Sequence, residues 1–324
     1  MNIHDRKFCV APMMGYTTPH ARKLYRILSN KSFLFTEMIA SKSMIHSNNR
    51  DSVIENENEN PIALQVGGSD YKDLIKCVKI AEEYNYNEIN LNVGCPSKTV
   101  QKGNFGASLM KEKHKVADCL KAMQDNTFIK VTMKCRIGLG KNFNYNFFSD
   151  FIGESLKSEI DIIYVHARNA ILEGLSPKNN RSIPPLNYDY VSKIKKEFPH
   201  IMFILNGGIN SIEDALILSK KHDGVMVGRL VQSNPFCLSE VDKSFYNFET
   251  EKKLYDKIIV EYFKYIKNKL NKESIYRLLS PLLNIFFGVP NSKKMRQEIN
   301  DYMKQNDLNK LESLFLNFIQ SQKI

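Results

Sequence analysis

Several common signatures are absent from this chain. Its six cysteines, Cys9, Cys77, Cys95, Cys119, Cys135 and Cys237, form no C-x-x-C pair, so neither a zinc site nor a redox pair has a basis in the sequence. No apolar run approaches the ~18 residues of a membrane-spanning helix. The opening residues, "MNIHDRKFCVAPMM", hold no apolar stretch of the signal-peptide kind. These absences set an expectation of free thiols in a reducing cytoplasm, with no bound metal and no membrane. The first strand candidate runs into "CVAPMMGYTTPH". It carries no G-x-G-x-x-G, which a doubly wound dinucleotide-binding sheet usually shows at that place.

What is present is ample for a core. The chain has 324 residues, 43% of them hydrophobic and 25% charged, and this composition argues against wholesale disorder. The formal net charge is +11, from 46 Lys and Arg against 35 Asp and Glu. Such a surplus permits a polyanion partner such as nucleic acid. The abundance of Lys, Asn and Ile, all with A/T-rich codons, accounts for it equally well.

Short β-prone runs alternate with amphipathic segments. The strand candidates are Phe8–Met13, Phe33–Glu37, Pro61–Val66, Glu88–Asn92, Phe128–Lys134, Asp161–His166, Ile201–Asn206 and Asp223–Gly228. Between them lie helical stretches such as "SDYKDLIKCVKIAEEYN" and "SIEDALILSKKH", the latter with Ser211 placed as an N-cap and Asp214 three residues on. Strands alternating with helices imply a parallel sheet. Eight such units match a (β/α)8 TIM barrel, whose usual length is ~250 residues. "IENENEN" reads as a solvated loop before the third strand. After about residue 240 strand signals stop, and Leu254, Ile258, Tyr262 and Ile266 fall at helical spacing. The expected organisation is a barrel over residues 1–240 and a small helical domain over 241–324.

In such barrels the chemistry sits on the loops that follow the strands. The unusual polar residues fall there: Gln65 after strand three, Asn92 and Cys95 after strand four, Lys134 and Arg136 after strand five, His166 and Arg168 after strand six. Phosphate is commonly held after strands seven and eight, where Asn206-Gly207-Gly208 and Gly228-Arg229 stand. Taken alone, "NGG" is more simply a turn; its pairing with Gly228-Arg229 favours the phosphate reading. Lys134, Gln65 and His166 could offer hydrogen bonds to the edge of a flat heterocycle, as a flavin needs. Each also has a purely structural reading.

The motifs "APMMGYTTPHAR", "LQVGG", "NLNVGCPS", "GNFGASLM", "KCRIG", "VHARNAILEGLSPKNNRSIPPLNY", "LNGGI" and "GR" occur in this order across the barrel. Together they resemble the tRNA-dihydrouridine synthase family. "GLSPKNNRSIPPL" resembles its A-type subfamily, which acts on positions 20 and 20a of the tRNA D-loop. The tail segment "NIFFGVPNSKKMRQ" resembles the family's helical domain, with departures near Ser280 and at Met295. The resemblance implies an oxidoreductase that reduces the C5=C6 bond of uridine in tRNA, with bound FMN and with NADPH as electron donor. It carries FMN contacts over to Pro12, Met13, Met14, Gln65, Lys134, His166, Asn206, Gly207, Gly208, Gly228 and Arg229. Asn92 matches a residue near the target base, and Lys178, Arg181 and Arg296 match RNA contacts. No protein partner is implied, and a monomer is expected.

Cys95 matches the family's proton donor. A thiol with a reference pKa of about 8.5 is mostly protonated near neutrality and so is a competent acid. Pro96 restricts Cys95 to extended geometry. Gly103 and Gly106 suggest a flexible loop that folds over the substrate, and the other five cysteines are expected to pack. Two competing functions stand beside this one. An FMN barrel acting on a small molecule, of the dihydroorotate or enoate type, shares the phosphate site without needing a basic tail. A non-catalytic RNA-binding protein would not need the cofactor and acid positions filled.

Overall fold

The computed structural model describes every residue except 1–5, 49, 141–143, 249–254, 284, 286–291 and 322–324. Eight strands form one sheet: β1 (Phe8–Val10), β2 (Leu34–Ala40), β3 (Ile62–Gly67), β4 (Glu88–Val93), β5 (Lys130–Arg136), β6 (Ile162–His166), β7 (Met202–Asn206) and β8 (Gly224–Val227). All pairings between them are parallel, in the order β1-β8-β7-β6-β5-β4-β3-β2. A parallel bridge between Cys9 and Phe33 closes the ring, with Val10 N–H donating to the Phe33 carbonyl at 2.8 Å and Phe33 N–H to that of Phe8 at 3.0 Å. The expected (β/α)8 barrel is present. Its fifth strand starts at Lys130, and Phe128, expected inside it, is fully exposed.

Two compact units are distinguishable: residues up to Pro19 with Phe33–Gly228, and His20–Ser32 with Arg229–Ile324. The sequence expectation had divided the chain at residue 240, with residues 20–32 on the barrel side. In the second unit the helix Pro19–Leu28, from His20 on, groups with Tyr255–Lys269, Ile275–Leu283, Ser292–Lys304 and Leu308–Ser321. Ile258, Tyr262 and Ile266 are buried at the expected spacing, while Leu254 lies outside the described residues. Most of the "NIFFGVPNS" segment also lies outside them. The Asp242 carboxylate accepts from Ser29 Oγ (2.5 Å), Asn30 N–H (2.8 Å) and Lys31 N–H (3.1 Å), tying the turn after the His20 helix to the tail.

The barrel interior has two characters. Cys9, Ala11, Phe33, Phe35, Ala63, Ile162, Tyr164, Met202, Ile204 and Met226 make an apolar cluster. Along β4 and β5, and at Gln65 of β3, the inward positions are polar instead. On β4, Glu88, Asn90 and Asn92 alternate with Ile89, Leu91 and Val93, so the polar set shares one face. Register pairs Glu88, Asn90 and Asn92 with Lys130, Thr132 and Lys134 of β5. At the N-terminal end of the strands Arg6 pairs with Glu88 at 2.5 Å and hydrogen-bonds Tyr164 at 3.0 Å. Burial alone would lower the proton affinity of Arg6, but Glu88 and Tyr164 more than offset it and raise it.

The Ser211 cap is present as expected, its Oγ accepting from Asp214 N–H at 3.0 Å; Asp70, which the sequence reading does not single out, caps the helix Tyr71–Glu83 through Lys72 and Asp73 N–H. The "IENENEN" reading needs correction, because Glu59 is buried. Asn56 Oδ1 accepts from Glu59 N–H at 3.0 Å, folding the run onto itself. Among the described residues no helix is long and apolar enough to cross a membrane.

Candidate active site

The site is assembled at the C-terminal ends of β3 to β7. Gln65 and Asn92 are buried neighbours, with Asn92 Nδ2 donating to Gln65 Oε1 at 2.9 Å. The other end of the Asn92 amide grips the next loop: its Oδ1 accepts from Gly94 N–H (3.1 Å) and Cys95 N–H (2.9 Å). Cys95 is thereby fixed at the mouth of β4. It is partly exposed, whereas Cys9, Cys77, Cys119, Cys135 and Cys237 are all buried, as expected.

The segment after Cys95 is not the flexible loop anticipated. Lys98–Lys102 is a short helix capped by Ser97, and Gly106–Lys111 is a 3-10 turn. Gly106 has φ +74°, and a Cβ there would lie 2.6 Å from the Cys95 carbonyl oxygen and also strike Val100. Ala107 N–H donates to that same carbonyl at 2.9 Å. Gly106 is therefore required for close packing against Cys95, not for mobility.

On β5, Lys134 Nζ donates to Asn206 Oδ1 at 3.0 Å, and Asn206 Nδ2 donates to the Met226 carbonyl at 2.7 Å. Burial, reinforced by the Arg136 charge, lowers Lys134 from the usual 10.5 to about 8. Arg136 is lowered to about 10, first by burial and further by Arg181 and Arg168, with Cys95 acting in the opposite sense. Lys134 and Arg136 both lie within electrostatic reach of Cys95.

Arg136 had no assigned role in the sequence reading. Its Nε donates to the Gly94 carbonyl (2.9 Å), and its Nη1 donates to the carbonyls of Asn169 and Asn180 (3.0 Å each). It ties the Cys95 loop to the long loop after β6. Asn180, in the middle of "PKNNRS", is fully buried: its Oδ1 accepts from Ile171 N–H at 2.8 Å and its Nδ2 donates to the Ile171 carbonyl at 2.9 Å. Lys178 and Arg181 are exposed on either side of this anchor. A pinned 3-10 turn, Asn179–Arg181, presents them to solvent.

After β7, Gly207 and Gly208 take φ +116° and +73°, a region that only glycine enters readily. A Cβ on Gly207 would lie 2.7 Å from His166 Cδ2, and one on Gly208 would strike Leu186. The imidazole of His166 therefore lies directly against this turn. Tyr188 OH donates to the Gly207 carbonyl at 2.6 Å. Met13 packs on the apolar interior cluster, and a Cβ on Gly228 would touch its Sδ at 3.4 Å. Pro12 is half-buried and Met14 exposed at the end of β1. Arg229 opens the helix Arg229–Ser233 directly after Gly228, and Arg296 is exposed on Ser292–Lys304; both belong to the second unit.

The family model for dihydrouridine synthase matches residues 9–321. The chain belongs to the dihydrouridine synthase family. A relative from Vibrio cholerae, named tRNA-dihydrouridine(20/20a) synthase, is 41% identical over 300 residues, covering 92% of this chain and 91% of its own length. One of the same name from Escherichia coli (strain K12) is 42% identical over 310 residues, covering 94% and 90%. Among solved structures, a mandelate oxidase aligns with 76% of this chain and 73% of its own at a TM-score of 0.47 and 14% identity, a likeness too slight to carry function. Family membership makes this chain an enzyme of the class that reduces uridine to dihydrouridine.

Proposed function

We propose that this chain reduces the C5=C6 bond of uridine at positions 20 and 20a of the tRNA D-loop, with FMN as bound cofactor and NADPH as electron donor. The family and the shared name of its 41–42% identical relatives support the substrate. The observation that carries the chemistry is Cys95, a partly exposed thiol whose backbone is held by Asn92 beside Lys134 and Arg136.

The residues present fit a flavin mononucleotide. The Gly207-Gly208 turn is a close-approach backbone site of the kind that takes a phosphate at this end of a barrel. Gln65 keeps one amide hydrogen beyond its bond to Asn90 for a ring oxygen. Lys134 would supply a cation to the ring, His166 lies against the turn, and Met13 and Met14 stand at the end of β1. When bound, FMN re-reduced by NADPH would supply a hydride to uracil C6.

That transfer leaves negative charge on uracil C5 and O4. Cys95 Sγ–H gives its proton to C5, and the thiolate regains one from solvent. Lys134 and Arg136 put positive charge beside the developing anion. The target nucleotide must leave its stack to reach Cys95. Lys178 and Arg181 hold the RNA by its phosphates, which supply most of the affinity. A free-thiol acid suits a reducing compartment, the cytoplasm. A monomer is the expected active form.

The test is direct. Purified holoenzyme, NADPH and an unmodified tRNA transcript should yield dihydrouridine at position 20, 20a or both, mapped by mass spectrometry. NADPH consumption with a small enone and no dihydrouridine in the transcript would overturn the reading.

A further inference from the structure

Below the rim, a single line of hydrogen bonds runs down the barrel interior. Thr132 Oγ1 donates to Glu88 Oε1 at 2.5 Å. Asn90 Nδ2 donates to Thr132 Oγ1 at 2.7 Å, and Gln65 Nε2 donates to Asn90 Oδ1 at 2.8 Å. Asn92 Nδ2 donates to Gln65 Oε1 at 2.9 Å, and Asn92 Oδ1 receives the N–H groups of Gly94 and Cys95. Glu88, Asn90 and Asn92 are alternate residues of one strand, so the line spans roughly 13 Å at ~3.3 Å per residue. Glu88, Asn90, Thr132 and Gln65 are all essentially inaccessible to solvent.

The direction of this line is fixed at both ends. At the bottom, a carboxylate paired with Arg6 can only accept. At the top, backbone N–H groups can only donate. Every amide between them has one orientation that satisfies both neighbours. Turning over any of the three would set donor against donor or acceptor against acceptor, and an unsatisfied buried polar group is costly.

We infer that Glu88, Thr132 and Asn90 are positioning residues: through Gln65 they set the orientation of the Asn92 amide, and Asn92 in turn holds the Cys95 backbone. The consequence at the rim is chemical. Asn92 presents its oxygen to the Cys95 loop, and Gln65 keeps one amide N–H beyond the line. The inference deepens the proposed function and rests on that reading for its catalytic arm.

Thr132 gives the cleanest perturbation, because Glu88→Gln would also break the buried pair with Arg6 and risks misfolding. Thr132→Val removes the hydroxyl at nearly constant shape, and Thr132→Ser keeps it. Ile204→Val, in the apolar half of the interior, controls for lost stability alone. The first readout is single-turnover reoxidation of pre-reduced holoenzyme by unmodified tRNA. Thr132→Val should be about tenfold slower at saturating tRNA with the half-saturating tRNA concentration unchanged, as expected when a reacting group is misplaced rather than binding lost. Thr132→Ser should restore the rate, and Ile204→Val should not lower it. The second readout needs no activity: iodoacetamide labelling of Cys95 in the folded holoenzyme, followed by mass spectrometry. Thr132→Val should label several-fold faster and Thr132→Ser at the wild-type rate. Wild-type rates for Thr132→Val in both readouts overturn the inference, as does a Thr132→Ser variant no better than Thr132→Val. A wild-type enzyme that forms no dihydrouridine refutes the proposed function instead, and the labelling ratio still decides the relay.

Discussion

Lys134→Met should stabilise the flavin-free protein at neutral pH, although it removes a residue from the centre of the site. The side chain is held, mainly by burial and then by Arg136, at about 8 instead of 10.5. At 1.36 kcal/mol per tenfold change in proton affinity, keeping the ammonium folded at pH 7 costs about 3 kcal/mol. Methionine has similar reach and carries no such penalty. It forfeits the hydrogen bond to Asn206 Oδ1, worth about 1.5 kcal/mol. The balance favours the variant by about 1–2 kcal/mol. The pH dependence fixes the sign. Between about 8 and 10.5 the unfolded chain holds more protons at this lysine than the folded one, so the wild-type protein gains stability there as pH rises. By pH 9.5 about 2 kcal/mol of the penalty has gone, and the advantage of the variant should vanish. Urea unfolding of both flavin-stripped proteins at pH 7 and pH 9.5 reads both quantities. A variant less stable than wild type at pH 7, or a gap that does not change with pH, refutes the reasoning. In the same proteins flavin affinity should fall on substitution, because the cation that burdens the empty site is the one offered to the ligand.

Cys95→Ala should reduce its flavin with NADPH at a near-normal rate but transfer to tRNA about 10²–10⁴-fold more slowly, the usual worth of a placed general acid. Serine should rescue little, and reoxidation at the wild-type rate would remove Cys95 from the mechanism. Lys178→Ala and Arg181→Ala should weaken tRNA binding and lower its salt dependence by about one unit of slope for each phosphate no longer neutralised. Their flavin content should stay full; unchanged affinity across a salt series would place the RNA elsewhere. Gly106→Ala should destabilise by about 2 kcal/mol or more, because it puts a side chain at φ +74° and against the Cys95 carbonyl. A thermal melt matching wild type would show that the turn yields.

The barrel was legible because its evidence is local. Each strand candidate is a short β-prone run closed by a helix signal, and parallel pairing follows from that alternation. Polar residues at strand ends then fell on one rim by topology alone, which is why Gln65, Asn92, Cys95, Lys134 and His166 could be named before any contact was known. What escaped notice depends on partners far apart in sequence. Arg136 meets Asn180 across 44 residues, and Asn180 in a polar run looks no different from its exposed neighbours until that partner is in place. Likewise nothing in "PHARKLYRIL" says that, from His20, this helix groups with the tail.

The interior polar line is an instructive case, since its signal was in view. A strand of an all-parallel sheet usually reads as a continuous apolar run. "EINLNV" instead alternates, and so does "KVTMKCR" beside it. With helices covering the outer face, the apolar set must point outward and the polar set inward. A core that accepts carboxylate, amides and hydroxyl must satisfy all of them, and five residues on three strands can do so only in one register. The alternation therefore ties fold to chemistry: slipping β4 by one residue would at once bury Asn92 against helices and carry Cys95 off the rim.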